Sequence, residues 1–338
     1  CYRAAGHPGE KVDAAVWSRD GKVLATAGRD GLRLWNWAGA QLAHLPDVRV
    51  RPGGMACSTT HLYLATETGI VRRPLASATG RLPLVPVEML SKISDAGQIV
   101  LSPPGGTGGP YLAVARDGEV AMLDPASGAP RRPPLKSLPS TAFLAVSPDG
   151  NWLAAGTSGS TGVRVWPLAP SIGAHQDLRV HGAATVAFYP LAEDPVTKDP
   201  IPPHLMTGDA KAYRMWVWNG GKKWVSKAPD HPSEMANRRG RIAKMVFSPR
   251  GTAVVVSYDN KHLQILHPTE MKLMTQPGFD EQWPLAISPF GRMMATEAAN
   301  GRLSIWDLAE IRNELASRGL DWPELQPFYP VPIPLVTP

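Results

Sequence analysis

The sequence predicts an all-β fold: a seven-bladed β-propeller of four-stranded antiparallel blades over residues 1–307, closed by the N-terminal strand. Three observations carry this expectation. One phrase (strand, tight turn, strand, turn, strand) recurs along the chain, most cleanly as VDAAVWSRDGKVLATAGRDGLRLWN at 12–36. The position that opens its first turn, Ser18, returns as Ser58, Ser102, Ser147, Tyr189, Ser248 and Ser288, at spacings of 40, 44, 45, 42, 59 and 40 residues. That period suits a four-stranded blade. Finally, 32 Gly and 35 Pro among 338 residues, without a collagen-like period, fit many short strands joined by tight turns. Each unit is too small to bury its own apolar face, so the units must bury theirs against one another.

The units fall near 6–36, 53–75, 98–124, 142–166, 181–218, 242–266 and 284–307. In the first, Asp20-Gly21 and Asp30-Gly31 mark hairpin turns. The second is degenerate, with Pro74 standing where the third strand should end on an aromatic. The third carries a glycine run at 105–109, which lacks the Lys and following helix of a phosphate loop. The fourth is close to the first, with Ser147-Pro148-Asp149-Gly150 and Trp166. The fifth holds an insertion, LAEDPVTKDPIPPH at 191–204, rich in Pro and charge and expected as a surface loop. In the sixth, the apolar run AVVV at 253–256 indicates a strand buried on both faces. The connectors supply an outer strand to each unit. After residue 307 the period changes: Leu308, Ile311 and Leu315 fall at helical spacing, with Gly319 as C-cap and Leu320 or Trp322 as anchor, so 308–322 is expected as a helix and its anchor against the ring. Residues 323–338 hold six prolines and form an extended tail. The ring is expected to close by pairing Tyr2–Ala5 with 303–307.

Composition narrows the chemistry. The formal charge of +6 comes from scattered residues and does not single out a nucleic-acid partner. The two cysteines, Cys1 and Cys57, do not build a disulfide framework, and no stretch has the length and apolarity of a membrane helix. The nine histidines form no metal-ligand spacing, no G-x-S-x-G elbow occurs, and neither metal nor cofactor is expected. The chain opens at CYRAAGHPG without an initiator Met, which suggests a fragment or processed product. Location is left open, the cytoplasm being favoured.

The Gly-His pair before a unit, the Ser-Pro-Asp-Gly turn and the Trp-Asp close resemble the WD40 family. Gly6-His7 and Trp35-Asn36 carry the resemblance in unit one, Ser147-Pro148-Asp149-Gly150 and Trp166-Pro167 in unit four, and Trp306-Asp307 in unit seven. The resemblance implies a hydrogen-bonded His, Ser/Thr, Asp and Trp network within a blade. Unit one offers His7, Thr26, Asp30 and Trp35, with Asp30 one residue nearer the Trp than the family pattern; unit five offers His181, Thr207, Asp209 and Trp216. These sets are expected to be structural and not catalytic. The ending WDLAEIRNELASRGLDWP further resembles the C-terminal WD40 regions of planctomycete-type bacterial proteins, which are often fused to serine/threonine kinases. No kinase motif lies in this chain.

The expected function is therefore a non-enzymatic protein-interaction scaffold. The alternatives are a regulatory or sensory part of a larger bacterial kinase, and a small-ligand binder or enzyme using the central channel. The partner is expected to be a protein or peptide. Second-to-third strand turns should share an upper face, where Arg29, Arg116, Lys211, Tyr213 and Arg302 are contact candidates. The turn at 157–162 should lie there, with 105–109 and 191–204 on the lower face. Trp218 and Trp224 are candidate exposed hot spots, and Arg238, Arg239 and Arg241 a candidate contact for an acidic partner.

Overall fold

The computed structural model describes residues 2–4, 6–7, 11–75, 87–106, 109–159, 162–169, 174–194, 197–209, 212–220, 223–227, 231–232, 242–248, 251, 253–258, 263–268, 273–275, 282–298 and 301–318. Among them are seven antiparallel sheets, six of four strands and one of five. In blade 1 the inner, second, third and outer strands are Val12–Trp17, Val23–Gly28, Gly31–Asn36 and Gln41–Leu45. The inner strands of successive blades, Met55–Cys57, Ile99–Leu101, Thr141–Val146, Thr185–Phe188, Ile242–Phe247 and Gln282–Ile287, each touch their neighbours, and the last touches Val12–Trp17. That cycle is the propeller ring. The strand Tyr2–Ala4 completes blade 7, pairing Tyr2 with Ile305, Arg3 with Ser304 and Ala4 with Leu303. Closure removes two sheet edges that would otherwise invite pairing with another chain.

The serine at each first turn has a physical role. Ser18, Ser102, Ser147, Ser248 and Ser288 are buried, and each Oγ accepts the N–H of the residue that restarts the chain: Val23 at 2.9 Å, Tyr111 at 2.8 Å, Trp152 at 2.9 Å, Ala253 at 3.0 Å and Met293 at 3.0 Å. The hydroxyl satisfies a buried donor that the ladder leaves out.

Apolar packing lies between blades. Leu32, Leu34, Leu62 and Leu64 meet in the seam of blades 1 and 2, and Leu24, Trp35, Leu303 and Ile305 in that of blades 7 and 1. Every seam of the ring holds such a cluster. Strand alternation sends successive residues to opposite seams, so the second strands are buried throughout, as in Val254–Tyr258.

Two expectations are amended. In blade 2 the partner of Leu62 is Arg73, the register position at which Leu24 meets Trp35, so fully buried Arg73 takes the Trp place and Pro74 lies one residue beyond, exposed. In blade 5 the outer strand is in two pieces, Trp224–Ser226 and His231–Pro232, both on the third strand Ala212–Trp218. The helix α1 spans Leu308–Ser317, and its start is capped by Asp307, whose Oδ1 accepts the N–H of Ala309 at 3.0 Å and Glu310 at 3.2 Å. Gly319, Leu320, Trp322 and the tail lie outside the described residues.

Candidate interaction groove and the buried polar networks

Blade 1 brings His7, Thr26, Asp30 and Trp35 together. Trp35 Nε1–H is only a donor, so it gives its hydrogen to Thr26 Oγ1 at 2.8 Å. The Thr26 hydroxyl is then free to donate to His7 Nε2, also 2.8 Å away, and His7 Nδ1–H donates to Asp30. That direction fixes a neutral imidazole protonated on Nδ1. Arg33 holds the other Asp30 oxygen through Nε at 3.0 Å and Nη2 at 2.8 Å. Burial pushes the His7 imidazole below its ordinary 6.5, outweighing the opposing pull of Asp30. Burial raises the Asp30 carboxyl, but the hydrogen bonds from His7 and Arg33 prevail and hold it below 3.8. The network stands at the closing seam, where His7 N–H also reaches Gly301 O at 3.0 Å.

Blade 5 arranges its four residues differently. Trp216 Nε1 donates to Thr207 Oγ1 at 3.0 Å, repeating the Thr–Trp bond. Asp209 is buried and accepts from Ala212 N–H at 2.9 Å, His181 N–H at 2.9 Å and Arg214 Nη1 at 2.9 Å. The His181 ring is 56% exposed and meets Arg214 Nη2 at 3.1 Å. Blade 7 carries a third Thr–Trp bond, Trp306 Nε1 to Thr296 Oγ1 at 2.8 Å, with Arg292 on Asp307. Sequence reasoning did not single out Thr296, nor Arg33, Arg164 and Arg214. The signal was there: each of these three arginines stands two residues before the closing Trp, and each pairs with a carboxylate.

Of the upper-face candidates, Arg29 and Arg302 are exposed. Arg116 is engaged by Asp95 and Glu119. Tyr213 is only 7% exposed and packs in the seam of blades 5 and 6, because strand alternation turns it inward. Trp224, expected on the surface, is 2% exposed: it is wedged against Trp152 at 5.2 Å and Phe188 at 6.0 Å. Lys211, Arg238, Arg239 and Arg241 lie outside the described residues.

Trp218 is half-buried and lines a groove of about 630 Å³ on the lower face, at the seam of blades 4 and 5. One wall is the first turn of blade 4, including Pro148; the other is the blade 5 insertion, with Tyr189, Leu191, Ile201 and a run of prolines. Trp218 is held by Trp152, the ring centroids 4.6 Å apart. Tyr189 stands where the other six units carry Ser, and its ring packs edge-on against Phe247 at 5.8 Å. The repeat thus departs from its rule where the groove forms.

Two segments, residues 1–36 and 136–167, match the family described as WD domain, G-beta repeat. Each of these two segments is similar to a WD40 repeat. Each matched segment covers the first three strands of a blade, blade 1 or blade 4, and reaches the outer strand that precedes it, in blade 7 or blade 3; these are the two units fullest in turn and Trp motifs. No curated protein matches the chain. Among the described residues of this propeller no helix is long and apolar enough to cross a membrane, and no group of three or more His, Cys, Asp or Glu is placed to hold a metal ion.

Proposed function

We propose that this WD40 propeller is a non-enzymatic scaffold that binds protein or peptide partners on a face of its disc. One observation carries the reading: the set most like a catalytic centre is closed on itself. Thr26, His7 and Asp30 join hydroxyl, imidazole and carboxylate in the order of a nucleophilic triad. Yet Thr26 and His7 are fully buried, and Trp35 already donates to the hydroxyl oxygen that would attack. The set has no room for a substrate and serves to orient strand and turn. Cys57 is similarly idle: burial pushes its thiol up to about 12, far from the thiolate a nucleophile needs.

Affinity capture with the full chain, followed by crosslink mapping, tests the proposal. We expect a specific protein partner with its crosslinks on one face of the disc. Repeated capture that recovers none overturns the reading. The finer reading, a regulatory part of a planctomycete-type kinase, rests on the ending from Trp306 alone; the coding sequence upstream of Cys1 decides it.

A further inference from the structure

We infer that the groove between blades 4 and 5 is a polyproline-binding cleft whose resident occupant is the chain's own segment 327–338, PFYPVPIPLVTP. The inference rests on the scaffold reading above and gives it an occupant and a control. The groove is lined as such clefts are: two aromatic rings, Trp218 and Tyr189, both fixed by neighbouring rings, stand beside apolar Pro148, Leu191 and Ile201. Extended proline-rich segments dock in aromatic-lined grooves because their backbone is ordered before binding and little entropy is lost. Charge agrees. Asp149 is the single ionisable carboxylate among the lining residues, and it is already engaged by Ser147 and Asn151. Residues 325–338 carry no charged side chain.

Spacing and geometry agree as well. Pro327 and Pro330 are three residues apart and share one edge of a three-residue-per-turn helix. The third strand of blade 7, Leu303–Asp307, runs to the lower face, and α1 leaves from there: Leu308 N–H bonds Arg292 O at 2.7 Å, just past the first turn of that blade. The groove opens on the same face, two and a half blades away. At about 10 Å between packed sheets that is roughly 25 Å near the axis, and more at the rim. Nine residues after Arg318 span about 28 Å as polyproline, and twenty span about 62 Å. α1 adds about 15 Å to the path whatever its heading, so the start lies at most about 40 Å from the groove; thirteen residues reach Val331 over about 40 Å, and the full twenty leave length to spare.

Two experiments on the full chain test this. In the first, a photo-crosslinking benzoylphenylalanine replaces Val331. We expect a product of single-chain mass crosslinked to 189–203 or 218–220, lost when Ile201→Lys is added. A crosslink elsewhere, a product of two-chain mass, or no crosslink overturns the inference. In the second, a labelled peptide of residues 325–338 is titrated against the wild type and against a P327A/P330A chain. A tethered segment acts at an effective concentration of about 1 mM, so a peptide of about 100 μM affinity should bind roughly 10-fold tighter to the variant. Equal binding, or binding that survives Ile201→Lys, overturns it. Capture of a foreign proline-rich partner in this groove with no crosslink from position 331 sinks the resident segment and leaves the scaffold standing. The expected crosslink with no partner recovered sinks the scaffold alone.

Discussion

Blades 1 and 5 place the same four residue types near the same seam positions and build different centres. In both, Thr precedes Trp by nine residues and their side chains bond. The difference lies two residues after the Thr, where blade 1 has Gly28 and blade 5 has Asp209. A Cβ on Gly28 would stand 2.7 Å from Lys11 O and 3.0 Å from His7 Nδ1. A side chain there would crowd the buried imidazole. In blade 5 the carboxylate of Asp209 fills the equivalent space, His181 contributes its main-chain N–H, and its ring stays outside. One seam position thus admits either a glycine with a buried His, or an Asp with a buried Arg.

The blade 5 solution is the one that breaks hardest. Asp209 and Arg214 are 1% and 7% exposed, and the carboxylate takes hydrogen bonds from three residues. Asp209→Ala strips a buried guanidinium of its carboxylate, which costs about 3–5 kcal/mol. The urea midpoint of the full chain should fall by more than for any other change at these two seams. Asp209→Ala combined with Arg214→Met should recover a large part of the loss, since a buried pair replaced by apolar groups is often neutral.

A second contrast separates the hydroxyls. Thr26 serves two buried partners, Trp35 and His7, whereas Thr207 accepts from Trp216, itself partly exposed. Each buried partner left unsatisfied costs about 1–3 kcal/mol. Thr26→Val should therefore destabilise by about twice as much as Thr207→Val in the same denaturant titration. Equal effects would show that the imidazole gains nothing from the hydroxyl.

The ring was legible because its rule is local and repeated: a turn Ser, a hairpin Gly and a closing Trp return in register, and each has a bond or a seam to explain it. The blade 1 network was named through the resemblance to WD40 repeats, since only the family pattern says that His7, Thr26, Asp30 and Trp35 belong together. What escaped was set by register or by three-dimensional crowding. Arg73 rather than Pro74 holds the closing place in blade 2, which depends on which residue faces Leu62. Trp224 and Tyr213 look like surface aromatics in a polar stretch, but alternation turns both inward. The groove could not be seen, although the loss of the turn Ser at Tyr189 marked its place.

The smallest effect is a slope. Because burial holds His7 below 6.5, the unfolded chain takes up a proton near that value before the folded chain does. The contribution is fully present above pH 6.5 and is lost as pH falls through the folded value. Asp30, held below 3.8, acts with the same sign but only in stronger acid. The wild-type midpoint should thus decline between pH 7 and 5. In Gly28→Ala the new methyl group stands too close to Lys11 O and crowds the imidazole, so one of them must give way, and we expect His7 to leave its place. An imidazole moved into water titrates alike in both states, so the decline between pH 7 and 5 should become shallower, leaving the part supplied by His61 and His204, which burial also holds below 6.5. If the slope is unchanged in Gly28→Ala, His7 has kept its burial by a shift of backbone, and the choice between glycine with histidine and aspartate with arginine is not made by space at this position.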